Sequence, residues 1–142
     1  MLITRKAEFS ASHVTARPEW SAERNAEVYG ESANAHGHGH NYQLEVTLSG
    51  EPDPVTGMVL DLKELKQILE REVIQPFDHH HLNHEVPPFD RVVPTTENVA
   101  REIWRRLAPQ FNGGDPGAGV RLHNVRLWET DDVYVDYAGE QA

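Results

Sequence analysis

The chain has 142 residues, 38% of them hydrophobic, which suits one domain built around one sizeable core. Thirteen basic residues against 23 acidic ones give a formal charge of −10, which argues against nucleic acid or an anionic membrane as partner, since both select for lysine and arginine excess. There is no cysteine, so disulfides, thiolate zinc sites and thiol nucleophiles are excluded.

Residues 2–13 alternate, with Ile3, Ala7, Phe9, Ala11 and His13 on one parity, and predict a strand whose core face ends in His13. Residues 14–35 carry Pro18, Asn25, Gly30 and Asn34 with little period and read as a long loop. A second strand is expected over 38–49, where Tyr42, Leu44, Val46 and Leu48 alternate with Gln43, Glu45 and Thr47. Asp61 is placed to cap a helix, with Glu64 reaching back as in a capping box, an apolar stripe through Leu62, Leu65, Ile68, Leu69 and Val73, and a stop at Pro76. A second helix should start near Thr95 and close at Pro109, and on local grounds Thr95 and Thr96 are most simply its caps. Gly113–Gly117 reads as a turn, followed by strands at about 119–129 and 132–138.

The order ββααββ predicts an α+β domain spanning 1–142, a four-stranded antiparallel sheet with two helices on one face. Such a sheet has two exposed edges, which oligomerisation relieves. The N-terminus lacks the apolar run of a signal peptide and no segment suits a bilayer span, so a cytoplasmic location is the expectation.

The nine histidines are unevenly placed, seven of them falling at 36–40 and 79–84. His38 and His40, two apart on a strand, share a face about 7 Å apart along the backbone, close enough for both rings to reach one metal ion. His13 ends the neighbouring strand on its core face and is a candidate third ligand. Three imidazoles with one open position match catalytic zinc, whose bound water can have its pKa lowered to about 7. Asp78 followed by His79, His80 and His81 places a carboxylate beside imidazoles, which suits a general acid–base pair as well as it suits a solvated loop. Glu129 ends a strand near Leu122, Asn124 and Trp128. Taken locally it reads more simply as a surface glutamate than as a buried carboxylate awaiting a guanidine-like donor.

Together these residues resemble the 6-pyruvoyltetrahydropterin synthase and 6-carboxytetrahydropterin synthase family, nearly end to end. Phe9-Ser10-Ala11-Ser12-His13 resembles its first zinc motif and His38-Gly39-His40-Asn41-Tyr42 its second. Gly57-Met58-Val59-Leu60-Asp61-Leu62 with Leu65-Lys66 resembles its strand-to-helix junction. Phe77-Asp78-His79-His80-His81-Leu82-Asn83 is similar to its catalytic segment. Pro94-Thr95-Thr96-Glu97-Asn98 and Trp128-Glu129-Thr130 are similar to its pterin-binding segments.

The resemblance implies a tunnelling fold in which three subunits close their sheets into a barrel and two trimers stack as a hexamer, with sites at subunit interfaces. It implies Zn2+ on His13, His38 and His40, Asp78 and His79 as catalytic proton-relay partners, and Glu129, Thr95 and Thr96 as substrate-binding residues. The implied activity is a lyase acting on 7,8-dihydroneopterin triphosphate, with the product pathway (deazapurine, including queuosine, folate or biopterin) left open. Two alternatives stand beside it: aldolase-like cleavage to 6-hydroxymethylpterin, and a non-catalytic zinc- or pterin-binding protein. The family's catalytic cysteine aligns with Ser32, a far poorer base. The glutamate that a subgroup carries just before the His-Gly-His aligns with Ala35. Glu31 and His36 are the nearby candidates for a replacement base.

Overall fold

A computed structural model gives the fold and describes residues 1–111 and 119–140. The sheet is built on β1 (Leu2–His13) and β2 (His38–Gly50), which pair antiparallel from Leu2 opposite Ser49 to His13 opposite His38. The parity read from sequence holds. Phe9, Ala11 and His13 of β1 and Tyr42, Leu44, Val46 and Leu48 of β2 are buried. Each large apolar side chain fully buried in this way contributes about 1.5–3 kcal/mol, so the strands carrying the histidines are also the anchors of the core.

The sheet has five strands, not four, in the order β3-β1-β2-β4-β5. The added β3 (His80–His81) runs parallel to β1 beside Ala11 and Ser12, which makes the sheet mixed rather than antiparallel. A two-residue strand leaves no alternation to read, and its polar His-His sequence resembles a loop. The stretch expected as a loop at 14–35 contains α1 (Ala22–Tyr29) and a 3-10 turn at Gly30–Ala33. Asn25 is the only residue of α1 that is buried. A helix docked through one polar side chain gives no apolar period. Asn25 accepts the Arg17 N–H (2.8 Å) and donates to the Arg17 carbonyl (3.0 Å), and Ser21 caps the helix through the Arg24 N–H.

Asp61 caps α2 (Leu62–Leu69) through the Lys63 N–H. The helical run continues through a π turn at Glu70–Ile74 into α3 (Gln75–Phe77) and ends one residue after Pro76, the expected stop, which is tolerated because it lies in a new first turn. A short α4 (Leu82–Glu85) follows β3. Helix α5 (Thr96–Phe111) begins after Thr95, as expected, but runs two residues past Pro109. The turn expected at Gly113–Gly117 lies outside the described residues. No helix among the described residues is long and apolar enough to cross a membrane.

Strands β4 (Val120–Thr130) and β5 (Val133–Tyr137) complete the sheet. β4 is irregular twice. His123 is skipped where Thr47 pairs with Asn124 and Leu48 with Leu122, and Glu129 is skipped where Trp128 pairs with Tyr134 and Thr130 with Val133. Each skipped residue is a bulge, which re-aims side chains next to it. The first bulge puts Leu122, Val125 and Leu127 together in the core. The bulge interrupts the alternation, so Leu122 faces inward while Asn124 and Trp128 turn to the opposite face.

Candidate metal centre and active site

His13, His38 and His40 meet where β1 and β2 end together. Register places His13 opposite His38 and Ala11 opposite His40, so the three imidazoles converge from two paired strands. Their donor nitrogens all lie within 4.8 Å of one another, and the ring centroids are 4.6–5.1 Å apart. Gly37 turns the chain into β2 with φ +76°, and a Cβ there would come within 3.2 Å of the His13 carbonyl, so the entry favours glycine.

His13 is fully buried. Its Nδ1–H donates to the Pro94 carbonyl at 2.8 Å, which leaves Nε2 as a lone pair facing His38 Nε2 at 3.0 Å. The His40 Nε2 is buried without a hydrogen-bond partner; Glu129 Oε1 lies 3.2 Å away but out of line for one. A neutral imidazole fixed by a backbone carbonyl, a second facing it and an orphaned third nitrogen are what a metal ion would satisfy. The residues present therefore fit a zinc ion, with one coordination position left over.

Burial holds the pKa of His13 below the ordinary imidazole value, with further lowering by His38 and His40 against the Pro94 hydrogen bond and Glu129. Burial likewise lowers His40, opposed by Glu129. Both rings stay neutral, as ligands must. Because the folded values lie below the unfolded one of about 6.5, the unfolded chain takes up protons first as pH falls. The stability tied to these rings is present above about pH 6.5 and is lost on acidification through it. The urea midpoint of metal-free protein should fall between about pH 7.5 and about pH 5.5; a midpoint that does not move there would contradict the buried neutral pair.

Glu129 belongs to the same site, so its placement overrides the local reading as a surface residue. Two residues beyond the buried Leu127, it shares the core face and accepts a hydrogen bond from the Thr96 hydroxyl. Thr96, buried in the first turn of α5, thus binds Glu129 rather than capping the helix. Thr95 does cap it, its hydroxyl accepting the Asn98 N–H at 3.2 Å. An open cleft of about 600 Å³ lies over the cluster, lined by Glu31, Ser32, Asn34, Gly37, His38, His40 and Glu129. Glu31 and Ser32 are therefore at the site. His36 is exposed and does not line the cleft.

Asp78 and His79 do not line that cleft either. They sit on the outer edge of β1, where Asp78 Oδ1 accepts the Ser10 N–H at 2.8 Å and Oδ2 accepts from His79 Nδ1 at 2.9 Å. The Ser10 hydrogen bond is the main cause of a lowered Asp78 pKa, aided by His79. The carboxylate stays ionised and orients the imidazole, leaving Nε2 of His79 pointing outward from an 82% exposed side chain. His79 is held at φ +61°, an uncommon conformation for a non-glycine residue that often marks a functional position. Two residues that sequence reasoning gave no separate role also bear on the site. The Pro94 carbonyl orients His13. The Asn83 carboxamide accepts the Val14 N–H (2.8 Å) and donates to its carbonyl (2.9 Å), fastening the backbone next to His13. A backbone acceptor leaves no side-chain signal, and an amide that mimics a strand looks like any turn asparagine.

A family model described as 6-pyruvoyl tetrahydropterin synthase matches residues 2–140. The 6-pyruvoyl tetrahydrobiopterin synthase of Homo sapiens is 44% identical over 138 residues, covering 97% of this chain and 91% of that protein. The corresponding synthase of Dictyostelium discoideum is 36% identical over 140 residues, covering 99% and 97%. The solved structure of Caenorhabditis elegans 6-pyruvoyl tetrahydropterin synthase superposes with a TM-score of 0.88 at 35% identity, covering 99% of this chain and 96% of that one. With its α+β sheet, its histidine cluster and a match that runs almost from end to end, the chain belongs to the 6-pyruvoyl tetrahydropterin synthase family.

Proposed function

We propose that the chain is a zinc-dependent lyase acting on 7,8-dihydroneopterin triphosphate. The observation that carries this is that His38 and His40, clustered with the buried His13, line one cleft together with Glu129. A zinc ion held by the three imidazoles would supply Lewis acidity toward the hydroxyl oxygens of the substrate side chain. Glu129, braced by Thr96 at one oxygen, has lone pairs left to accept the paired N–H donors of a pterin's guanidine-like edge. Thr96 is thus a support for the pterin anchor, and Thr95 serves it by starting the helix that carries Thr96.

The cleft also needs a proton acceptor. The Ser32 carbonyl accepts the Thr15 N–H at 2.8 Å, but its hydroxyl has no partner among the described residues, so no neighbouring base activates it. The adjacent Glu31 brings a carboxylate to the same cleft. We assign the base role to Glu31. The Asp78–His79 dyad, facing outward, acts in this reading across a subunit boundary, in a trimer or hexamer that also covers the sheet edges.

The test is incubation of the purified, zinc-loaded chain with 7,8-dihydroneopterin triphosphate, with products identified by mass spectrometry. Loss of triphosphate, abolished by a chelator and by Glu31→Gln but not by Ser32→Ala, is the expected result. Loss of activity in Ser32→Ala with Glu31→Gln unaffected would return the base role to the serine. A 6-hydroxymethylpterin product would favour retro-aldol cleavage, which the unactivated serine makes the second reading. An inert parent that gains activity as Ser32→Cys would mean the chain keeps the scaffold and has lost the base.

A further inference from the structure

The first turn of α5 holds the orientation of His13 as well as that of Glu129, and the contact runs through one peptide plane. The Pro94 carbonyl that accepts from His13 Nδ1 belongs to the same planar unit as the Thr95 N–H. That N–H donates to the Val93 carbonyl at 2.8 Å, so the plane is pinned at both ends, by Val93 at its N–H and by His13 at its oxygen. Proline fixes φ at residue 94, which leaves ψ of Pro94 as the torsion that turns the plane. The Val93 carbonyl therefore sets where the Pro94 oxygen points. That carbonyl is itself held by the Asn98 carboxamide, whose Nδ2 donates to it at 2.9 Å. Asn98 is in turn fixed by its own N–H to the Thr95 hydroxyl at 3.2 Å.

We propose that Asn98 is a positioning residue for the metal centre, acting through Val93 and Pro94 to keep His13 in the tautomer that presents Nε2. The proposal rests on the metal reading of the His13–His38–His40 cluster. Asn98 donates to no group of the cleft and does not line it. Its influence passes along backbone hydrogen bonds to a buried ring whose Nδ1 has one partner among the described residues, the Pro94 carbonyl. Partners of this kind typically change metal affinity by about 10–100-fold when removed.

Asn98→Asp separates this role from folding. The aspartate keeps the shape and suits the first turn of a helix, where the macrodipole favours negative charge, but it has no N–H for the Val93 carbonyl. The expected result is metal-free protein that melts no lower than the parent, with zinc affinity weakened by about tenfold or more in a chelator competition assay. Imidazole nitrogen NMR of the metal-free proteins is the second readout. His13 should carry its proton on Nδ1 in the parent and lose that preference in Asn98→Asp, with Asn98→Ala behaving alike. Zinc affinity within about twofold of the parent together with an unchanged His13 tautomer would overturn the proposal. If the parent itself fails to bind zinc, the metal reading falls, and the His13 tautomer in the two metal-free proteins decides the positioning role alone.

Discussion

His38→Ala is expected to remove bound zinc and turnover together while leaving the fold in place. His38 is half-buried and its polar partner among the described residues is a ring nitrogen of His13, so truncation costs little packing. Two imidazoles remain, too few for the three protein ligands of a catalytic zinc site. The loss of affinity should exceed the roughly 10–100-fold typical of an outer partner. His13→Ala is the contrasting variant. It loses the same ligand function but also leaves the buried Pro94 carbonyl unpaired, which adds about 1–3 kcal/mol of destabilisation. Zinc content by elemental analysis and thermal melting of both variants distinguish the two effects. Stoichiometric zinc and full activity in His38→Ala would remove the metal centre from this account.

His79→Ala is expected to do the reverse, lowering turnover by about 10²–10⁴-fold with zinc retained. Its ring is exposed and, among the described residues, tied only to Asp78, so neither the core nor the histidine cluster depends on it. Asp78→Ala should be worse for stability than His79→Ala, because it also leaves the Ser10 N–H on the edge of β1 without its acceptor. If the dyad works across a subunit boundary, mixing inactive His79→Ala with inactive His38→Ala should restore activity once the two exchange into shared oligomers. Mixtures that stay inert after exchange would place the dyad outside the reaction.

Much of the site was legible because it lies on regular strands. A period of two placed His13, His38 and His40 on the core face, and pairing of neighbouring strands did the rest. Glu129 was legible only through the resemblance. Taken locally it read as a surface glutamate near Leu122, Asn124 and Trp128, and no sequence signal marks the bulge at His123 that sets Leu122 on a different face from the other two. Helix α1 was hidden because it docks by the hydrogen bonds of Asn25 instead of an apolar stripe. β3 was hidden because two histidines have no alternation. The Pro94 oxygen was beyond reach altogether, since a carbonyl has no residue type to recognise.

The two bulges of β4 give the strand's length a meaning separate from its composition. Each adds one residue that the neighbouring strand does not match, and the first lets Leu122 look inward together with Val125, Leu127 and Glu129, which unbroken alternation would not allow. Deleting His123 would join Leu122 to Asn124 and keep Leu122, Val125, Leu127 and Glu129 on one face, whereas inserting one residue between Val125 and Arg126 would exchange the faces of everything on one side of it, seating either the core residues or the carboxylate on the wrong side. Arithmetic along the backbone is thus part of the site. Within β4 a substitution is the milder lesion, and a change of one in the count between the two bulges is the severe one.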